Sequence, residues 1–209
     1  AMRAARMVDE RWADDCVTSG IASGEAVIAL VAEGDDDEPR RVDHRALIIE
    51  EEFARLLSTG RREGSTVSPI IRSAWDSRPL RVTTKANSLT ATGHHISVLG
   101  HITADELHTA GRSLDIANGL HNRFLFVYAQ RSKLLPSGGT LRDGDLADLV
   151  SRAHTAVQTA RTSGQLRRTP AAEQRWAELY EACADADPGG LLGAVTARAE
   201  PQLLRLSLV

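Results

Sequence analysis

Glu50, Glu51 and Glu52 stand together directly after the run Arg45 to Ile49. Acids at the end of a buried strand could hold a metal hydrate beside the phosphates of a nucleotide, because ligands of open parallel sheets bind at the strands' carboxyl ends. The same triplet could instead open the next helix, where negative charge offsets the helix dipole. The densest group of other ligand types is His94, His95, His101, Asp105 and His108. Against a metal hydrolase, His94 and His95 point to opposite faces of a strand, and no His-Glu-x-x-His spacing occurs. Arginine carries nearly all the positive charge, since Lys85 and Lys133 are the only lysines. Arg123, at a strand start, could reach a phosphate or pair with a surface carboxylate, and Arg72 has the same two options.

The elements that must position these side chains are those of an α/β protein. Ser23 caps a helix over the apolar run Ala26 to Val31, and Glu33 to Arg41 has the composition of a solvated loop. Arg45–Ile49 and His95–Gly100 read as buried parallel strands, and Arg123–Ala129 as a third. Ser68 to Trp75 reads as a helix, with Trp75 in the core, and Arg81 to Thr92 as irregular. Thr103-Ala-Asp-Glu106 has the spacing of a capping box. Pro136-Ser-Gly-Gly139 then breaks the chain. From Asp143 onward only helical periodicity remains, over Leu146 to Ala160, Pro170 to Ala184 and Leu191 to Val209. Strands separated by helices indicate a parallel sheet, so the expected organisation is an α/β body over 1–140 and an all-helical extension over 141–209.

With 209 residues, of which 42% are hydrophobic, the chain can bury a full core. Cys16 and Cys183 match no metal or redox spacing and read as buried thiols of a reducing compartment. No stretch approaches the roughly 18 apolar residues of a membrane span, and no signal peptide is evident, so the expectation is a cytoplasmic protein. Ala1 before Met2 reads as the remnant of a cleaved tag. A formal charge of −3 with 4% aromatic residues argues against a dedicated single-strand binder, although local basic clusters can still touch phosphates.

Six segments occur in a recognisable order: Ser23-Gly-Glu25, Leu47-Ile-Ile-Glu-Glu-Glu-Phe53, Ile71-Arg-Ser-Ala-Trp-Asp76, Leu99-Gly-His-Ile-Thr103, Asn118-Gly-Leu-His-Asn-Arg-Phe124 and Arg131-Ser-Lys-Leu-Leu-Pro-Ser-Gly-Gly139. Together they resemble a family of primase-helicase-like P-loop ATPases of bacteria and phages, often linked to bifunctional primase-polymerase domains. The resemblance covers nearly the whole chain, including Gly190 to Arg198. It implies a RecA-like fold, ATP and Mg²⁺ as cofactors, and coupling of hydrolysis to DNA transactions. In its terms Glu50 or Glu51 is the metal-holding acid, Glu25 the water-activating base and His101 a sensor of the terminal phosphate. Arg123 becomes an arginine finger and Arg72 a nucleotide contact.

The family's Walker A loop would precede Ser23-Gly-Glu25, and the sequence has none. Lys85 follows Thr84 and Lys133 follows Ser132, so neither lies in the Gly-Lys-Ser/Thr arrangement that cradles phosphate. The expectation is therefore a remnant or fragment of a helicase-like ATPase, inactive alone, and three origins stay open: an upstream polypeptide that carries the phosphate loop, a decayed gene or a trimmed chain. The competing expectation is a non-catalytic module that binds a partner chain or nucleic acid. Either way an incomplete sheet exposes apolar surface, which points to a homo-oligomer.

Overall fold

The computed structural model describes residues 2–33, 43–83, 88–110, 119–186 and 188–208. They divide into two compact units, each built from two stretches of chain: 1–15 with 126–182, and 16–125 with 183–209. Among the described residues no helix is long and apolar enough to cross a membrane.

The larger unit is a mixed α/β body around a three-stranded parallel sheet. Its strands are β1 (Val17–Thr18), β2 (Arg45–Glu50) and the later β5 (His95–Gly100), in the order β1-β2-β5. Ile48 is in register with Thr18 on one side and Val98 on the other. Ala46, Ile48 and Glu50 alternate as the buried face of β2, as the two-residue period of a strand requires. Against that face pack α3 (Gly24–Ala29), α4 (Phe53–Arg61) and α5 (Val67–Trp75), through Val27, Phe53, Leu56, Leu57, Val67 and Ile71. β5 departs from the expectation of a buried strand: Ile96 and Val98 are half-buried against the core, whereas Ser97 and Leu99 on the opposite face are exposed.

Two further expectations are corrected. The segment read as irregular forms an antiparallel pair, β3 (Leu80–Thr83) with β4 (Ser88–Ala91), which buries Leu80, Leu89 and Ala91 beneath α3. Lys85 lies outside the described residues. Arg123–Ala129 is not a strand: His121–Arg123 is a turn of 3-10 helix, and Leu125 to Tyr128 are exposed and belong to no strand among the described residues. Branched and aromatic residues favour a strand only where a neighbour completes their hydrogen bonds.

The remaining helix of the sheet's series, α6 (Ala104–Ala110), opens on the predicted capping box. Glu106 N–H donates to the Thr103 hydroxyl at 3.2 Å, and Thr103 N–H donates to the Glu106 carboxylate at 3.0 Å. The tail of this unit is two helices, α9 (Gly190–Thr196) and α10 (Ala199–Leu206), separated at Ala197 and Arg198. Pro201 explains the restart, because a proline fits the first turn of a helix, where its missing N–H would be unsatisfied anyway.

The smaller unit contains α1 (Met2–Val8), all but the last residue of α2 (Glu10–Cys16), the sixteen-residue helix α7 (Ala147–Thr162), and the sixteen-residue α8 (Pro170–Asp185) up to Ala182. Ion pairs Arg161–Asp9 at 2.9 Å and Arg3–Asp143 at 2.5 Å join its two stretches of chain. Cys16 is buried as expected, whereas Cys183 is only partly so.

Candidate functional site

Glu50 ends β2 with its side chain 3% exposed. One carboxylate oxygen accepts the backbone N–H of Ile21 at 2.7 Å, in the loop between β1 and α3, and the other faces the Arg55 guanidinium at 3.7 Å. The main chain makes a second link at the same place. His101 N–H donates to Glu50 C=O, and Phe53 N–H donates to His101 C=O, each at 2.9 Å. The carboxyl ends of β2 and β5 and the start of α4 are thereby tied together. The His101 side chain is exposed beside them.

The close fit here is enforced by glycine. A Cβ on Gly100 would come within 2.4 Å of the Phe53 ring, so the last residue of β5 must lack a side chain. Glu51 and Glu52 are exposed, and Glu52, the N-cap of α4, makes no side-chain capping bond.

Glu25 lies in the first turn of α3, which follows β1. Its carboxylate accepts from the Thr66 hydroxyl at 3.1 and 3.3 Å, while Gly24 N–H donates to that hydroxyl at 3.1 Å. Thr66 is the N-cap of α5, so one hydroxyl joins the starts of two helices. Hydrogen bonds from its own backbone N–H, from Ser23 and from Thr66 hold the Glu25 carboxyl below its ordinary pKa. A carboxylate held so low is a weak proton acceptor, which detracts from Glu25 as a base.

Parallel strands thus bring Glu50, Glu51, His101 and Glu25 to the carboxyl-end side of the sheet. Arg72 and Arg123 are elsewhere. Thr66 and Asp76 cap opposite ends of α5, about 15 Å apart at 1.5 Å per residue, and Arg123 binds at the Asp76 end. Its guanidinium donates to both Asp76 oxygens, at 3.1 and 3.3 Å, and to Gly119 C=O at 2.6 Å. The side chain is 7% exposed, and burial lowers its pKa while Asp76 opposes that shift. The arginine is spent on an internal ion pair. Arg72, half-buried, adds repulsion to Arg123 from the same helix.

This second place contains residues that sequence reading did not single out. Arg123, Arg198 and Arg205 approach the Trp75 ring centroid at 5.6, 4.9 and 3.6 Å. Trp75 is therefore a half-buried platform for guanidinium groups and not a core residue. Arg198, before α10, and Arg205, in its last turn, come from the tail more than a hundred residues away in sequence, so no local spacing announces them.

No protein-family model matches the chain, and no curated protein or solved structure matches it either. The chemistry has to be read from the geometry. Neither oxygen of Glu50 faces open space, and a divalent ion would have to displace Ile21 N–H or the Arg55 charge. As arranged, Glu50 does not fit a metal ligand, and no metal-dependent step is assigned to it. Among the described residues no group of three or more His, Cys, Asp and Glu side chains could hold a metal, and that includes the histidines around His101.

Proposed function

We propose that the chain is the acid-bearing part of a RecA-like, helicase-type ATPase that acts on DNA, and that alone it does not hydrolyse ATP. The observation that carries this reading is the junction of Glu50 and His101 at the carboxyl ends of neighbouring parallel strands, where such sheets bind nucleotides. Glu25, in the first turn of the helix that follows β1, lies on the same side of that sheet. ATP and Mg²⁺ are the cofactors it implies. Most affinity for them comes from a lysine and backbone amides that no Gly-Lys-Ser/Thr segment of this sequence provides.

Calorimetric titration with ATP–Mg²⁺ and a phosphate-release assay test the proposal, first on the chain alone and then with the polypeptide encoded directly upstream. The expected results are no submillimolar binding and no turnover alone, and turnover in the combination. Turnover by the chain alone that Glu50→Gln removes would show a complete site and overturn the reading. An inactive combination would do the same.

A second feature favours self-association. Leu99 is 40% exposed on the sheet face opposite the helices, in register with the half-buried Ile49. We propose that this apolar strip is covered in a homo-oligomer.

A further inference from the structure

Positive charge gathers around Trp75 and Asp76. The Asp76 carboxylate lies 3.1 Å from Arg123, 3.7 Å from Arg198 and 3.9 Å from Arg78. Arg205 lies on the Trp75 ring and donates to Trp75 C=O at 2.5 Å. Four guanidinium groups thus gather around one carboxylate, in a chain whose overall charge is negative. Arginine does not deprotonate in proteins, so the excess charge is permanent. Burial, and then repulsion from Arg198, lowers the pKa of Arg123 and of Arg205, while Asp76 opposes both shifts. Asp76 offsets part of this repulsion, and a bound anion would offset more.

The layers of the cluster indicate which anion. Arg123, 7% exposed, holds Asp76 from below, whereas Arg198 is 32% and Arg78 73% exposed. Stacking on Trp75 and the bond to its C=O hold Arg205 in place, and a guanidinium carries further N–H donors suited to paired hydrogen bonds with phosphate oxygens. The same stacking occupies the indole ring, so base stacking is not its role. We infer that Arg78, Arg198 and Arg205 form a binding site for the phosphodiester backbone of single-stranded DNA. The phosphate chemistry rests on this geometry alone; the choice of DNA among phosphate carriers rests on the function proposed above.

Fluorescence anisotropy of a labelled oligothymidylate, titrated with the full chain in the absence of nucleotide, tests the inference. The expected result is salt-dependent binding that weakens about tenfold or more in Arg198→Gln/Arg205→Gln, with a salt slope shallower by about 1.5. Arg198→Lys/Arg205→Lys should retain most of the affinity. Circular dichroism checks the fold of each variant. Arg78→Gln, at a side chain too exposed to support the fold, should weaken binding about threefold and keeps the test open if the double variant does not fold.

Equal affinity in the wild type and the folded glutamine variants overturns the inference. So does binding of inorganic pyrophosphate without binding of the oligonucleotide, which would make the cluster a small-anion site. DNA binding by this route in a chain that never supports ATP turnover would leave this inference standing and remove the ATPase reading.

Discussion

The Glu50 carboxylate accepts the Ile21 backbone N–H at 2.7 Å, and this one bond fixes the loop after β1 to the end of β2. Both groups are buried, so neither can turn to water when the other is removed. Loss of the acceptor should therefore cost the full desolvation of an amide. We expect Glu50→Ala to destabilise the larger unit by about 1–3 kcal/mol, and Glu50→Gln by less, because the glutamine carbonyl can still accept from Ile21. Urea denaturation measures both. Equal midpoints for the alanine variant and the wild type would show that the bond does not support the fold.

Glycine at two positions should prove as demanding as any core side chain. A Cβ at Gly24 would lie 2.7 Å from both Thr66 C=O and the Thr66 hydroxyl, and one at Gly100 would lie inside the Phe53 ring's contact distance. Overpacking of this kind costs about 1–3 kcal/mol. Gly24→Ala should also break the Glu25–Thr66 link and raise the Glu25 pKa slightly, since Thr66 gives the smallest of the three bonds that lower it. Thermal melts and carboxyl titration by NMR report the two effects separately.

His94 makes stability depend on pH in a window of its own. Burial lowers its pKa, so near the ordinary imidazole value the unfolded chain binds a proton that the folded chain resists. Stability is then constant above about pH 6.5 and falls as the pH drops below it. The lowered carboxylates, Glu25 among them, act in the same direction only at more acidic pH, below their ordinary values. Denaturation midpoints at about pH 7.5 and 5.5 should differ in the wild type and converge in His94→Gln.

Local features of this fold were legible in the sequence, and non-local ones were not. The Thr103–Glu106 capping box and the Ser23 cap depend on residues three apart, and β2 appears as an unbroken apolar run. β3 and β4 each alternate apolar with polar residues, yet at four residues apiece the pattern is too short to stand out, and only mutual pairing makes them strands. The reverse holds for Arg123–Ala129, whose composition suits a strand that has no neighbour. The arginine cluster is the extreme case, since positions 75, 76, 123, 198 and 205 meet only through the tertiary fold.

The exposed Leu99 gives the expected self-association a handle. Light scattering at tens of micromolar should show a dimer, and Leu99→Asp should shift it to monomer, because a charge on that face would be desolvated at the interface. A monomeric wild-type chain would remove this proposal without affecting the others.

Asp76 should be the least replaceable carboxylate in the larger unit. Among the described residues it is the carboxylate paired with the buried Arg123, and it also offsets the mutual repulsion of Arg123, Arg198 and Arg205. Breaking a buried pair by removing one partner costs about 3–5 kcal/mol, since the other charge stays buried. Asp76→Asn should approach that loss, whereas Arg198→Gln alone should cost little. The two changes touch the same charge, so they should not add. Removing Arg198 in the Asp76→Asn background relieves repulsion that Asp76 offsets in the wild type, and the double variant should recover about 1 kcal/mol relative to Asp76→Asn. A double-mutant cycle by urea denaturation measures that coupling. Strict additivity would mean that Arg198 and Arg123 do not sense one another through Asp76.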